Sequence, residues 1–247
     1  MRCLWRRSIE MIRLITMLFM GTFFATFSSA APRPLHTETN GLSLAVGVTN
    51  PPLRQIEAGV FQLGGVKLDK NKRTIQFPGL VNMNQGPIEY LLVNETGKVH
   101  ESVFRTAVEP YHVHLAALLL RPKNKAALEK SDTNSIRELA SHPVSISIRW
   151  QAGPSRMSLS GEKFVFNLQT KSAMTAGDWD YNGSRVIDGT FLGQRDGSIA
   201  SVITDPDALI NSMRPGREKD DIWQVNTDTV PPVNTSVEVT IQFHEEE

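Results

Sequence analysis

The stretch Val144-Ser145-Ile146-Ser147-Ile148-Arg149-Trp150-Gln151 alternates without a break. Val144, Ile146, Ile148 and Trp150 fall on one face, and Ser145, Ser147, Arg149 and Gln151 fall on the other. A repeat of two residues means a β-strand with one face against a core and one toward water. Val237, Val239, Ile241 and Phe243 repeat the pattern near the C-terminus. The fold is therefore organised around a half-buried sheet.

Shorter extended stretches flank these two. Val66 to Leu68, the polar turn Asp69-Lys70-Asn71-Lys72 and Thr74 to Phe77 predict a hairpin. Ile88 to Val93, the turn Asn94-Glu95-Thr96-Gly97 and Val99 to Thr106 predict a second. Thr190 to Gln194, the turn Arg195-Asp196-Gly197-Ser198 and Ile199 to Thr204 predict a third. Pro110 opens a helix whose inner face carries Tyr111, His114, Leu115, Leu118 and Leu119, and Pro122 ends it. Short helical pieces are expected near Ala126 to Lys130 and Ser135 to Ser141. Asp205-Pro206 predicts another, from an Asp cap and a Pro at the first helical position to Asn211. The expected class is α+β: mostly antiparallel β hairpins with a few short helices in a single domain.

The chain has 247 residues, 40% of them apolar and 21% charged, too apolar for a disordered chain. Arg2, Arg6, Arg7 and Arg13 precede a charge-free run from Leu14 to Phe27, and Ser28-Ser29-Ala30 follows. A basic start, a short apolar run and small residues before a cut form a secretory signal. Residues 1–30 are expected to be removed, leaving a periplasmic or secreted protein with no stable membrane span. The alternative is a membrane anchor through uncleaved residues 14–30. Met11 to Ala30 is by itself a complete signal, so translation from Met1 and from Met11 both fit. Residues 31–55 read as a polar, Pro-rich linker, 56–244 as the folded domain and 245–247 as an acidic tail.

The expected mature chain carries 22 basic and 25 acidic side chains, a net charge of −3. No basic surplus argues for nucleic acid. Cys3, the single cysteine, leaves with the signal. Disulfides, thiolate catalysis, iron–sulfur clusters and c-type haem are thereby not expected.

The familiar catalytic strings are missing. There is no G-x-S-x-G. Gly97-Lys98 is followed by Val99, where a phosphate loop needs Ser or Thr. His100-Glu101-Ser102-Val103-Phe104 starts like a zinc-protease helix, but Phe104 stands where the second His belongs. Three other stretches are distinctive: Phe77-Pro78-Gly79 with Gly86-Pro87-Ile88-Glu89-Tyr90-Leu91-Leu92-Val93; Gly97-Lys98-Val99-His100-Glu101-Ser102; and Trp179-Asp180-Tyr181-Asn182-Gly183-Ser184-Arg185. In these the chain resembles the YdjY-like domain family, over about Val60 to Phe243. The resemblance implies export. It brings no mechanism or catalytic residues with it. Relatives labelled ferredoxin-like give no cluster chemistry to a chain whose mature part has no cysteine.

Two groups of polar residues are candidates for a site. His100 and His114, with Glu101, are a candidate metal set, because neutral imidazole is the commonest metal ligand. A divalent metal is the one cofactor they suggest. On the expected strand His100 and Glu101 point to opposite faces, and on the expected helix His112 and His114 point apart. The plain alternative is a pair of half-buried histidines held by hydrogen bonds. Trp179, Tyr181, Ser184 and Arg185 are a candidate ligand lip, with rings to stack and a guanidinium to grip a carboxylate or sugar hydroxyls. The plain alternative is a loop pinned by Trp179, with Arg185 paired to Asp188. Asp220-Asp221 beside Trp223 reads as a solvated charge run. Two functions fit. One is an exported binding or accessory module at the cell envelope, taking a small ligand or an envelope protein partner. The other is a metal-dependent hydrolase or redox enzyme centred on His100 and His114.

Overall fold

The alternating stretch is the longest strand of the structure. The computed structural model describes residues 51–120 and 142–244. In chain order the strands are β1 (Leu53–Glu57), β2 (Val60–Leu63), β3 (Val66–Asp69), β4 (Thr74–Val81), β5 (Tyr90–Asn94), β6 (Ser102–Thr106), β7 (His142–Ala152), β8 (Ser155–Ser160) and β9 (Val165–Asn167). They continue as β10 (Ser172–Ala173), β11 (Trp179–Tyr181), β12 (Val186–Ile187), β13 (Thr190–Phe191), β14 (Ser198–Ser201), β15 (Ile210–Ser212), β16 (Trp223–Val225) and β17 (Ser236–Phe243).

Strand pairing closes on itself. Followed from β4, the neighbours run β17, β7, β11, β15, β14, β5 and β6, and β6 pairs back onto β4. This is a closed eight-stranded barrel, and closure leaves its strands without free edges. The expected α+β hairpin fold is therefore corrected to a mostly β fold. β1, β2 and β3 extend the sheet outward from β4, and β8 extends it from β7. Of the four positions that the alternation marks as inward, Val144, Ile146 and Ile148 are buried in the core, and Trp150 is partly buried, packing its ring edge-on against Phe164 at 5.9 Å.

Two expected hairpins are absent, and each is corrected by an observed partner. β5 and β6 run parallel, with Tyr90 opposite Ser102 and Asn94 opposite Thr106. In place of the third hairpin, Leu192–Asp196 is a short helix, and β14 runs parallel to β15 and antiparallel to β5. The expected helix after Asp205-Pro206 is a turn followed by β15. The Asp205 carboxylate accepts from the Asp207 amide at 2.9 Å. Asn211 then closes the loop by accepting from the Asp205 amide and donating to the Asp205 carbonyl, both at 2.8 Å. A side chain that offers the backbone such partners competes with helix. The first hairpin stands as β3–β4.

The helix Pro110–Leu120 forms where expected but turns a different face inward. Pro110, His112, Val113, Ala116, Ala117 and Leu120 are buried, while Leu118 and Leu119 are 40% and 38% exposed. Its two faces differ little in polarity, so side-chain size decides, and the alanines allow close approach to β3 and β4. The expected pieces near 126–130 and 135–141 lie outside the described residues. Among the described residues no helix is long and apolar enough to cross a membrane.

Candidate functional site

Three segments meet at the N-terminal ends of β5 and β6. The first is the loop entering β5. The Asn82 amide donates to the carbonyls of Val99 at 2.5 Å and Ser102 at 2.8 Å. The second is a 3₁₀ turn, Val99–Glu101, and Glu89 N–H donates to the Glu101 carbonyl at 3.0 Å. The third is the loop entering β16. Ile88 N–H donates to the Trp223 carbonyl at 3.1 Å, and the Trp223 indole donates to the Gly216 carbonyl at 3.1 Å.

Gly97 explains why the turn sits there. A Cβ on Gly97 would lie 2.7 Å from the Asp196 carbonyl oxygen and 3.0 Å from the Gly197 Cα. Only glycine lets these two backbones meet, and Asn94 N–H donates to the Gly197 carbonyl at 2.7 Å beside them. Asn94 also caps the turn by accepting from the Thr96 amide at 2.9 Å. The chain leaving Gly97 is thus committed to the cavity before Lys98 begins.

The cavity measures about 430 Å³ and is lined by Pro87, Ile88, Glu89, His100, Glu101, Asp220 and Asp221. Four carboxylates therefore face one imidazole. His100 Nε2 stands 3.6 Å from Glu101 Oε2, and the His100 side chain is 76% exposed while that of Glu101 is 22% exposed. A cation close in sequence, Lys98, is held by Tyr90. Lys98 Nζ donates to the Tyr90 hydroxyl at 2.5 Å and lies 4.7 Å above the Tyr90 ring. Tyr90 donates in turn to Asp205 at 2.8 Å. Burial, followed by that hydrogen bond, holds the Tyr90 phenol well above its ordinary range, so it stays a neutral donor. Burial also raises the Glu89 carboxyl. The nearby charges of Glu101, Asp220 and Asp205 add to the rise, and Lys98 opposes it. The residues that line the cavity include four carboxylates and no Lys or Arg.

The structure brings together some of the expected site residues and separates others. His100 and Glu101 share the cavity because a 3₁₀ turn replaces the expected strand. His114 is placed beyond the C-terminal end of β6, on the helix. Its Nδ1 shares a hydrogen bond of 2.7 Å with the Tyr181 hydroxyl, and its ring packs 4.9 Å from that of Phe191. His114 is not among the residues that line the cavity of His100. His112 is buried, with Nε2 3.6 Å from Glu109. Among the described residues no group of three or more His, Cys, Asp or Glu is placed to hold a metal ion.

The aromatic loop is placed as part of the barrel. Trp179 and Tyr181 are buried in β11, and the Arg214 guanidinium lies 4.9 Å from the Trp179 ring. Arg214 donates to the carbonyls of Thr175, Gly177 and Asp178, which ties the preceding loop down. Ser184 accepts from the Gly193 amide at 2.8 Å and donates to the Asp207 carbonyl at 2.6 Å. Arg185 pairs with Asp207 at 2.7 Å rather than with Asp188. Asp220 and Asp221, expected as a solvated charge run, are exposed and line the cavity, and Glu89 joins them there. Glu89 belongs to the distinctive Gly86 to Val93 stretch, whereas nothing in sequence spacing joins it to Asp220.

A family model of the YdjY domain matches residues 66–242. The chain belongs to the YdjY domain family. The match takes in the Gly86-Pro87-Ile88-Glu89 and Gly97 to Ser102 stretches, which in this YdjY domain build two of the three walls of the cavity. No curated protein and no solved structure matches the chain.

Proposed function

We propose that this YdjY domain is a binding module of the cell envelope that seats a cationic group of its ligand in the carboxylate cavity. One observation carries the reading: Glu89, Glu101, Asp220 and Asp221 line a single cavity whose lining holds no Lys or Arg. A positive group entering there relieves repulsion among carboxylates, so it is favoured over a neutral or anionic one. The envelope location rests on the signal-like residues 1–30. The metal-centred reading keeps two of its residues, His100 and Glu101, in this cavity, and it requires further ligands from Glu89 or Asp220 in place of His114.

Calorimetric titration with spermidine and with its fully acetylated, uncharged analogue tests the proposal. Spermidine is expected to bind and the analogue not to. Glu101→Gln and Asp220→Asn are each expected to weaken spermidine binding at least fivefold. Equal binding of both compounds, or variants that bind like the parent, would overturn it. Stoichiometric binding of Zn²⁺ that excludes spermidine would favour the metal centre instead.

A further inference from the structure

A second surface, on the outside of the sheet, has the opposite charge. Strand register places its side chains. Lys67 on β3 lies opposite Gln76 on β4, Gln76 opposite Thr240 on β17, and Thr240 opposite Ser147 on β7. Two residues along, Glu238 lies opposite Arg149, and two further along β7, Gln151 lies opposite Arg156 on β8. Cross-strand partners share a face, as do residues two apart. Lys67, Gln76, Glu238, Arg149, Gln151 and Arg156 therefore stand on one outer face, and together they line a groove of about 420 Å³.

We infer that this groove binds a linear acidic oligosaccharide. Three cations face one anion. Arg149 is paired with Glu238 at 3.0 Å, while Lys67 and Arg156 form no ion pair among the described residues. Their strands, β3 and β8, are four steps apart in the sheet, roughly 19 Å at the usual strand spacing. Side chains stand nearly perpendicular to a sheet, so a single small anion does not reach both ends. A chain that repeats its negative charge does. Between the two cations stand Gln76, whose amide donates to the Thr240 hydroxyl at 3.4 Å, and Gln151, whose amide donates to the Gly153 carbonyl at 2.8 Å, each keeping a carbonyl oxygen and a second N–H for a ligand. That pairing suits hydroxyl groups, which also do both. The groove is separate from the carboxylate cavity and shares no residue with it.

The test is calorimetric titration of the chain with hexagalacturonate, with galacturonate monomer, cellohexaose and hexathymidylate as comparators. Hexagalacturonate is expected to bind, and more weakly as salt is raised. The monomer and cellohexaose are each expected to bind at least tenfold more weakly. The Lys67→Glu, Arg156→Glu double variant is expected to lose at least tenfold in affinity with an unchanged melting temperature. Lys67→Gln alone is expected to lose two- to fivefold, and it decides the matter if the double variant does not fold. Glu101→Gln is expected to leave hexagalacturonate binding unchanged. Absence of hexagalacturonate binding overturns the inference. So does cellohexaose or hexathymidylate binding as tightly, or a Lys67 variant that binds like the parent.

Discussion

Gly97→Ala is the sharpest probe of how the cavity is built. The backbone at Gly97 is not in the left-handed region, so alanine is conformationally allowed there. On that ground alone the change stabilises by about 0.4–1 kcal/mol, through a less flexible unfolded chain. The folded state opposes it. The new methyl would meet the Asp196 carbonyl oxygen at 2.7 Å, the Gly197 Cα at 3.0 Å and the Asn94 carbonyl oxygen at 3.2 Å. All three are backbone atoms and cannot swing away as a side chain tip would. Relief requires moving the Gly97–Gly197 contact and with it the Asn94–Gly197 hydrogen bond. Overpacking of this kind costs about 1–3 kcal/mol. The net expectation is a loss of about 1–2 kcal/mol, read as a lower urea midpoint with an unchanged slope. For a domain of this size that lowers Tm by roughly 2–8 °C. The displaced turn carries His100 and Glu101, so spermidine binding should weaken in the same variant. An unchanged or raised midpoint would refute the claim that this contact fixes the turn.

Three more outcomes are expected. Ile148→Ala, at a fully buried barrel position, should cost about 2–5 kcal/mol in urea unfolding, and a loss under about 0.5 kcal/mol would place that face at the surface. Tyr90→Phe removes hydrogen bonds to Lys98 and Asp205, both half-buried and able to rehydrate, and should cost about 1–3 kcal/mol. Because the folded phenol is raised above its ordinary value near 10, its contribution is present below that pH and lost above it, so parent and variant should converge in urea unfolding at alkaline pH. Glu89 is likewise raised, so it favours folding in its protonated form, and stability should fall as pH rises above 4.5. Glu89→Gln should flatten that slope in melts between pH 4 and 7.

The long strands were legible because alternation over many residues has one reading. β7 and β17 show it, and the β3–β4 hairpin adds a polar turn of the right length. Barrel closure was not legible, because it depends on pairings that no local pattern encodes. β11 and β15 are too short to display a period, yet they complete the ring between β7 and β14. The β5–β6 connection misleads for a different reason. A loop from Glu95 to Glu101 suggests a hairpin, since parallel strands usually need a long crossover. β5 is short, about 17 Å, and a seven-residue segment spans up to about 24 Å, so the chain can return and pair in parallel. That return places the 3₁₀ turn at the barrel end and brings His100 and Glu101 to one side. The same topology explains the site residues. The Gly97 to Ser102 string was distinctive in sequence, but its neighbours Asp220 and Asp221 come from a distant loop.

Proton release on ligand binding tests the central claim most directly. A cation seated among the carboxylates favours ionised Glu89, whose carboxyl is raised in the free protein. Spermidine binding should therefore release protons at about pH 5, measured by calorimetry in two buffers of different ionisation enthalpy. The release should shrink as pH rises and Glu89 ionises in the free protein, and it should be absent throughout in Glu89→Gln. Binding at pH 5 without proton release, or with the same release in Glu89→Gln, would contradict a cation seated at this cavity.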